Sequence, residues 1–402
     1  MSNTAKLKEN PLEKIKNCII PGILENVNDA RSIIYENVRT GKFITPENII
    51  NDIVYKINKR LKDDKNIPFY KNNIILLETK DKKILEKNTL DWFKESKYSK
   101  KLEYFYDIKK GLMKVAFGEI PIPLFEYVQK RLNETGKQRI GGEKLKDAYI
   151  AIHPTRAWWI LSDLGGSFYD KLLILPHDVI EERRDWRYKN IVYEIKHGLR
   201  EYGTKERKLL KTENQEEFKE ICDIVSKYDF GIGFYNGKSF SDWLSYNLVS
   251  ITKNVKEEYE DYSIRLFNRI YSKDIIRIVE SLTGDPEKQI ELYSSVSNAK
   301  LADLIDNTDN LREGGLTKTL NRLDYNFIYL KQKNDFLIKH DKLNSETSER
   351  LTEELIKKSK EEIKIGSNLY KGKKNPALEV RIKKFRDLEI GYNRLDNPAS
   401  VK

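Results

Sequence analysis

Two histidines, two aspartates and two glutamates carry the chemistry this sequence can offer, in three short stretches. They are His153 in "AYIAIHPTRAWWILSDLGG", His177-Asp178 with Glu181-Glu182 in "SFYDKLLILPHDVIEE", and Asp303 in "VSNAKLADLIDNTDNL". The whole chain has four histidines, so the place of each one carries information. Two imidazoles and two carboxylates suit a first-row divalent ion, and mixed nitrogen and oxygen ligation fits Mn²⁺, Fe²⁺ or Zn²⁺. Such an ion lowers the pKa of bound water and polarises a phosphoryl oxygen. On helical spacing Glu181 shares a face with His177, and Glu182 with Asp178, so the glutamates are placed to move a proton or orient that water.

Each stretch also has a plainer reading. His153 precedes Pro154, a residue suited to the first turn of a helix, where a histidine can be a cap or a core residue. Leu172 to Leu175 form an apolar run followed by Pro176, which removes a backbone donor, so one helix kinked at Pro176 is expected. Its Glu-Glu-Arg-Arg end can simply emerge into solvent. That accounts for the arginines and leaves His177-Asp178 unexplained, because unpaired polar groups are costly to bury. Asp303, flanked by Leu-Ala and Leu-Ile, reads as a ligand, an N-cap or the buried partner of an arginine. Asp306, Asn307 and Asp309 fall within the next two turns.

The elements around these residues read as helices. In "NIINDIVYKINKRLKD" the isoleucines recur at helical spacing. "LFEYVQKRLNETG" is a helix closed by Gly136, and the His153 helix is closed by Gly165-Gly166. Strand-like alternation is sparse, so the expected class is all-α. Three regions are expected: an N-terminal helical region over 1–95, a catalytic region over 96–345 with an insertion near 200–260, and a charged peripheral helix and tail over 346–402. The net charge of +11 is compatible with nucleic acid, yet 63 acidic residues nearly match 74 basic ones, which favours a phosphorylated small molecule. No run of 18 apolar residues argues for a membrane span, and two cysteines suit a reducing cytoplasm rather than a disulfide framework. "GIGFYNGKS" misses the P-loop spacing by one position and reads as a turn.

The stretch "HPTRAWWILSDLGGSFYDKLLILPHDVIEE" followed by "AKLADLIDN" resembles the HD domain of RelA/SpoT-type (p)ppGpp hydrolases. His153 and His177 lie 24 residues apart, the usual interval of that family, and Lys300-Leu301-Ala302-Asp303 with Asn307 reproduces its late motif. The resemblance implies an HD-domain helical bundle in which His153, His177, Asp178 and Asp303 bind Mn²⁺ or another divalent metal. It implies Glu181 and Glu182 as the catalytic acidic pair and Asn307 as a nucleotide contact. Arg139 and Lys144 stand near the family's base- or phosphate-binding segment, and Arg183 and Arg184 are placed to face phosphates. The reaction implied is removal of the 3′-pyrophosphate from guanosine tetra- or pentaphosphate. Departures are Glu182 in place of aspartate, Pro176 directly before His177, and the separation of 125 positions from Asp178 to Asp303. The alternatives are an HD phosphohydrolase acting on another nucleotide, a degenerate HD binding or regulatory module, or a nucleic-acid phosphodiesterase using "RRDWRYK".

Overall fold

The computed structural model describes residues 27–42, 109–137, 150–183, 216–227, 237–254, 257–309, 315–340, 343–369 and 376–395. Among these residues every regular element is helical and there is no strand, as the sequence pattern predicts. No helix among them is long and apolar enough to cross a membrane. The isoleucine-rich stretch over 48–63, the 95–96 boundary and Arg139, Lys144 and Arg184 lie outside the described residues.

The chain divides into two compact units, Met1–Ile122 and Pro123–Lys402. In the first, helix α1 (Val27–Arg39) buries Ala30, Ile33, Ile34 and Val38. Arg31 Nε donates to the Ala116 carbonyl at 3.3 Å, tying α1 to a helical segment over 109–117.

The second unit contains most of helix α2 (Ile122–Asn133) and then α3 (Ile152–Asp163), α4 (Phe168–Ile174), α5 (Gly237–Ile251), α6 (Tyr259–Ile270), α7 (Lys273–Leu282), α8 (Pro286–Thr308), α9 (Gly315–Lys339), α10 (Glu346–Leu369) and α11 (Pro376–Leu395). Shorter helical segments cover 177–183 and 216–226. Helix α8 is the centre, packed against α3, α4 and α10. It starts with the Asp285 side chain accepting from the Glu287 amide and with Pro286 in the first turn. From Leu292 to Ala299 and from Leu301 to Asp306 it is buried on every face, as a helix surrounded by others must be. That surround is what makes acidic residues on it conspicuous.

Two local devices fix how α3 and α4 meet α8. Gly165 has φ of +82° and Gly166 donates to the Leu161 carbonyl at 2.6 Å. A Cβ at Gly166 would lie 2.9 Å from Leu161, so only glycine fits this reversal. Ser167 and Asp170 then form a reciprocal capping box at the start of α4.

The stretch expected to be one kinked helix is instead two. Helix α4 ends at Ile174, Leu175-Pro176 form a turn, and the helix resumes at 177. Pro176 has no N–H to continue the ladder, and its carbonyl accepts from the Val179 amide at 3.0 Å, opening a new turn. The helices after 345 also contribute to the core. Leu351, Leu355, Ile363, Leu378 and Phe385 of α10 and α11 are buried, and so is Glu362, while most other charges of "ERLTEELIKKSKEEIKIG" lie on the outer face.

Candidate metal centre

His153 is the second residue of α3 and is buried. Its two ring nitrogens meet carboxylates three residues apart on α8: Nε2 lies 2.8 Å from Asp303 Oδ1, and Nδ1 lies 2.6 Å from Asp306 Oδ2. Residues at i and i+3 share a helix face, so α8 grips one imidazole from both sides. Asp306 is itself held by Arg156, one turn along α3, whose Nε lies 2.8 Å from its Oδ1. Arg156 also reaches Asp309, which Lys358 of α10 contacts at 3.2 Å.

His177 owes its position to the break at Pro176. As the chain restarts, its Nδ1 comes 2.5 Å from the Ile174 carbonyl, which can only accept, so Nδ1 carries the proton. Nε2 therefore faces the cluster. It lies 3.1 Å from Asp178 Oδ1 and 3.7 Å from Asp303 Oδ1, close enough for charge attraction, yet it is buried and makes no hydrogen bond. Asp178 Oδ2 also lies 3.5 Å from His153 Nε2, so this carboxylate borders both rings. The ring centroids are 5.3 Å apart.

A ligand atom from each of His153, His177 and Asp303 falls within 4.8 Å of the other two, and all three residues are buried. They form a group able to hold a metal ion. The donor set fits one: two nitrogens and a carboxylate, with an orphaned imidazole nitrogen among them and both Nδ1 atoms anchored to acceptors behind.

Electrostatics follows the geometry. Burial would lower the His177 pKa, but the carboxylates of Asp178 and Asp303 outweigh it and push it up to about 10. Burial would raise Asp303, but Lys300 and the two histidines hold it well below the usual carboxylate range. Lys300 Nζ lies 2.5 Å from Asp303 Oδ2, and although burial disfavours its charge, Asp303 keeps it protonated.

The other residues singled out by sequence divide. The Glu181 carboxylate accepts from the Lys253 amide at 3.3 Å, and Asn307 Nδ2 donates to Asp303 Oδ1 at 2.5 Å. Glu182 is paired at 2.5 Å with Lys137, an exposed lysine after α2. Arg183, expected to face phosphates, is instead buried between Glu217 and Glu134, each 3.0 Å away. It ties the 177–183 segment to the 216–226 segment and the end of α2. Sequence reasoning assigned no role to Asp306, Arg156 or Lys300. The signal for the first two was present, because Asp306 is three residues from Asp303 and Arg156 three from His153. No family model, curated protein or solved structure matches this chain.

Proposed function

We propose that this protein is a metal-dependent phosphohydrolase that removes the 3′-pyrophosphate from guanosine tetra- or pentaphosphate. The observation that carries the metal dependence is the buried convergence of His153, His177 and Asp303 beside Asp178. The substrate assignment rests on the resemblance of the same stretches to the HD domain of RelA/SpoT-type hydrolases.

In this reading His153, His177, Asp178 and Asp303 hold a divalent ion of the Mn²⁺ type. What that ion supplies when bound is Lewis acidity, polarising a phosphoryl oxygen and easing deprotonation of water. The protein does the rest. Asp306 and the Ile174 carbonyl keep the two Nδ1 atoms engaged, so each Nε2 is the nitrogen that would give up its proton and offer a lone pair to the ion. Glu181 is the general base, its Oε2 oriented by the Lys253 amide. Asn307 steadies Asp303 and offers the nucleotide a polar edge. Glu182 keeps the Lys137 ammonium beside the 177–183 segment, where positive charge favours a phosphorylated substrate.

A second reading, a non-catalytic HD-type binding module, is favoured by one observation: Lys300 Nζ lies 2.5 Å from Asp303 Oδ2 and offsets the charge of that carboxylate. Incubation of the purified protein with Mn²⁺ and a nucleotide panel that includes ppGpp separates the two. Pyrophosphate released by the wild type and lost in His177→Ala and Asp178→Ala supports the hydrolase. Release that survives both substitutions sinks the site, and a wild type inactive across the panel favours the binding module.

A further inference from the structure

The Asp303 carboxylate is divided between two neighbourhoods. Its Oδ1 meets His153 Nε2 at 2.8 Å, His177 Nε2 at 3.7 Å and Asn307 Nδ2 at 2.5 Å. Its Oδ2 meets the Lys300 ammonium at 2.5 Å, from one turn earlier on α8. One oxygen belongs to the metal cluster and the other to a cation.

A lysine three residues from an aspartate can pair with it through helical spacing alone, and most such pairs lie in solvent. This pair is built differently. The Lys300 side chain is only 13% exposed. Its Nζ lies 5.2 Å from the Tyr262 ring centroid and 6.0 Å from that of Tyr259, both carried by α6. The Tyr262 hydroxyl donates to the Ile251 carbonyl at 2.6 Å, and Tyr259 stacks on Tyr325 of α9 with centroids 4.3 Å apart. Contacts that reach α5 and α9 thus fix the two rings. The rings attract the ammonium and hold it at Oδ2, where a free side chain would swing into solvent.

Asp306 and Lys300 act on the cluster with opposite sign. Asp306 adds negative charge behind His153, whereas Lys300 draws charge away from Asp303. Groups that hold a ligand from behind tune how firmly an ion is bound, and a positive charge there repels a cation. We infer that Lys300 is a positioning residue that reserves Oδ2 of Asp303, so that this ligand offers a divalent ion Oδ1 alone and grips it less tightly. An ion held this way keeps more of its charge for polarising a phosphoryl oxygen. This role rests on the metal centre of the proposed hydrolase and not on its substrate.

The test is Mn²⁺ titration of the full chain in competition with a chelating dye. Lys300→Met is expected to bind Mn²⁺ about 10-fold more tightly than the wild type, an effect of the size such supporting groups exert. Lys300→Gln, polar but uncharged, is expected to shift in the same direction and serves if the methionine variant is unstable; circular dichroism checks both folds. Lys300→Arg, which keeps a charge that can lie over the same rings, is expected to bind like the wild type. Lys384→Met removes a lysine from α11 and is expected to change nothing, which separates the local charge from the net charge. Unchanged or weaker binding in folded Lys300→Met and Lys300→Gln overturns the role, and so does equal tightening in Lys384→Met. A wild type that binds no Mn²⁺ overturns the metal centre and this role with it. If Lys300→Met binds more tightly while the wild type does not turn over ppGpp, the hydrolase reading fails and the role of Lys300 stands. If its affinity is unchanged while the wild type hydrolyses ppGpp, only the role of Lys300 fails.

Discussion

Helix α8 meets two buried aspartates within a few turns, Asp170 from α4 and its own Asp303, and the protein completes them in opposite ways. Asp170 of α4 meets α8 at Asn298, whose Nδ2 donates to it at 3.2 Å, while the Ser167 amide donates at 2.8 Å. The hydrogen-bonding groups that act on this carboxyl, Ser167, Asn298 and Ser295, are all neutral. Burial is the largest effect on it and pushes its pKa up to about 6. Asp303 is equally buried, yet Lys300, His153 and His177 surround it and hold its pKa well below normal. One site holds its proton to about pH 6 and closes a helix start. The other sheds its proton and gathers imidazole nitrogens. Burial depth is alike, so the difference lies in charge partners: neutral donors finish a cap, and charged partners with converging imidazole nitrogens make a group able to hold a metal ion.

Removing the carboxylate is the strongest way to break that contrast. Asp303→Ala leaves the part-buried Lys300 ammonium without its partner, and breaking a pair of this kind costs up to about 3–5 kcal/mol. Urea denaturation is expected to show that loss, and Asp303→Ala combined with Lys300→Met is expected to recover most of it. A midpoint equal to wild type in the single variant would show that the pair is not buried as described.

Asp170 gives the opposite signature with pH. Its folded pKa of about 6 lies above the usual carboxylate value, so the folded state binds the extra proton. The associated stability is full at low pH and is lost as pH rises from about 4 to about 6, by up to roughly 3 kcal/mol. Asp170→Asn keeps an oxygen for the Ser167 amide and Asn298 but cannot ionise. The variant is expected to match the wild type near pH 4 and to exceed it above pH 6, as read from denaturant midpoints at both. A parallel pH profile for the two proteins would mean that Asp170 is ionised in the fold.

The sequence makes part of this legible. Histidines are scarce and Asp303 sits in an apolar run, which is enough to pick out His153, His177, Asp178 and Asp303 and to expect an all-helical chain. Closure by Gly165-Gly166 is equally readable, because a reversal with positive φ leaves few other residues. The break at Pro176 is not. A proline inside a helical pattern either bends a helix or ends it, and here the helix ends, with the His177 ring bonding the Ile174 carbonyl across the break. Arg183 misleads for a similar reason. Next to two glutamates it reads as a solvent-facing end, and only the placement of Glu217 and Glu134 shows it buried. Asp306 was within reach of helical spacing, but its task is to hold a histidine rather than to meet a ligand.

That task supplies the smallest and most discriminating effect. Asp306 lies 2.6 Å from His153 Nδ1, on the side away from Asp303, so it fixes the ring without joining the ligand atoms. Asp306→Asn keeps an oxygen that can accept from Nδ1 but removes the charge that raises the basicity of Nε2. Loss of such a supporting group is expected to weaken Mn²⁺ binding by about 10- to 100-fold, measured by competition with a chelating dye. Asp170→Asn, equally deep and packed on α8 at Asn298, is expected to leave that affinity unchanged. Equal weakening by both substitutions would mean that metal affinity reports only the general integrity of the helix packing, and the distinction between the two acidic sites would be lost. Weakening confined to Asp306→Asn makes the difference functional, because only a carboxylate that reaches a ligand's far nitrogen changes what the near nitrogen can hold.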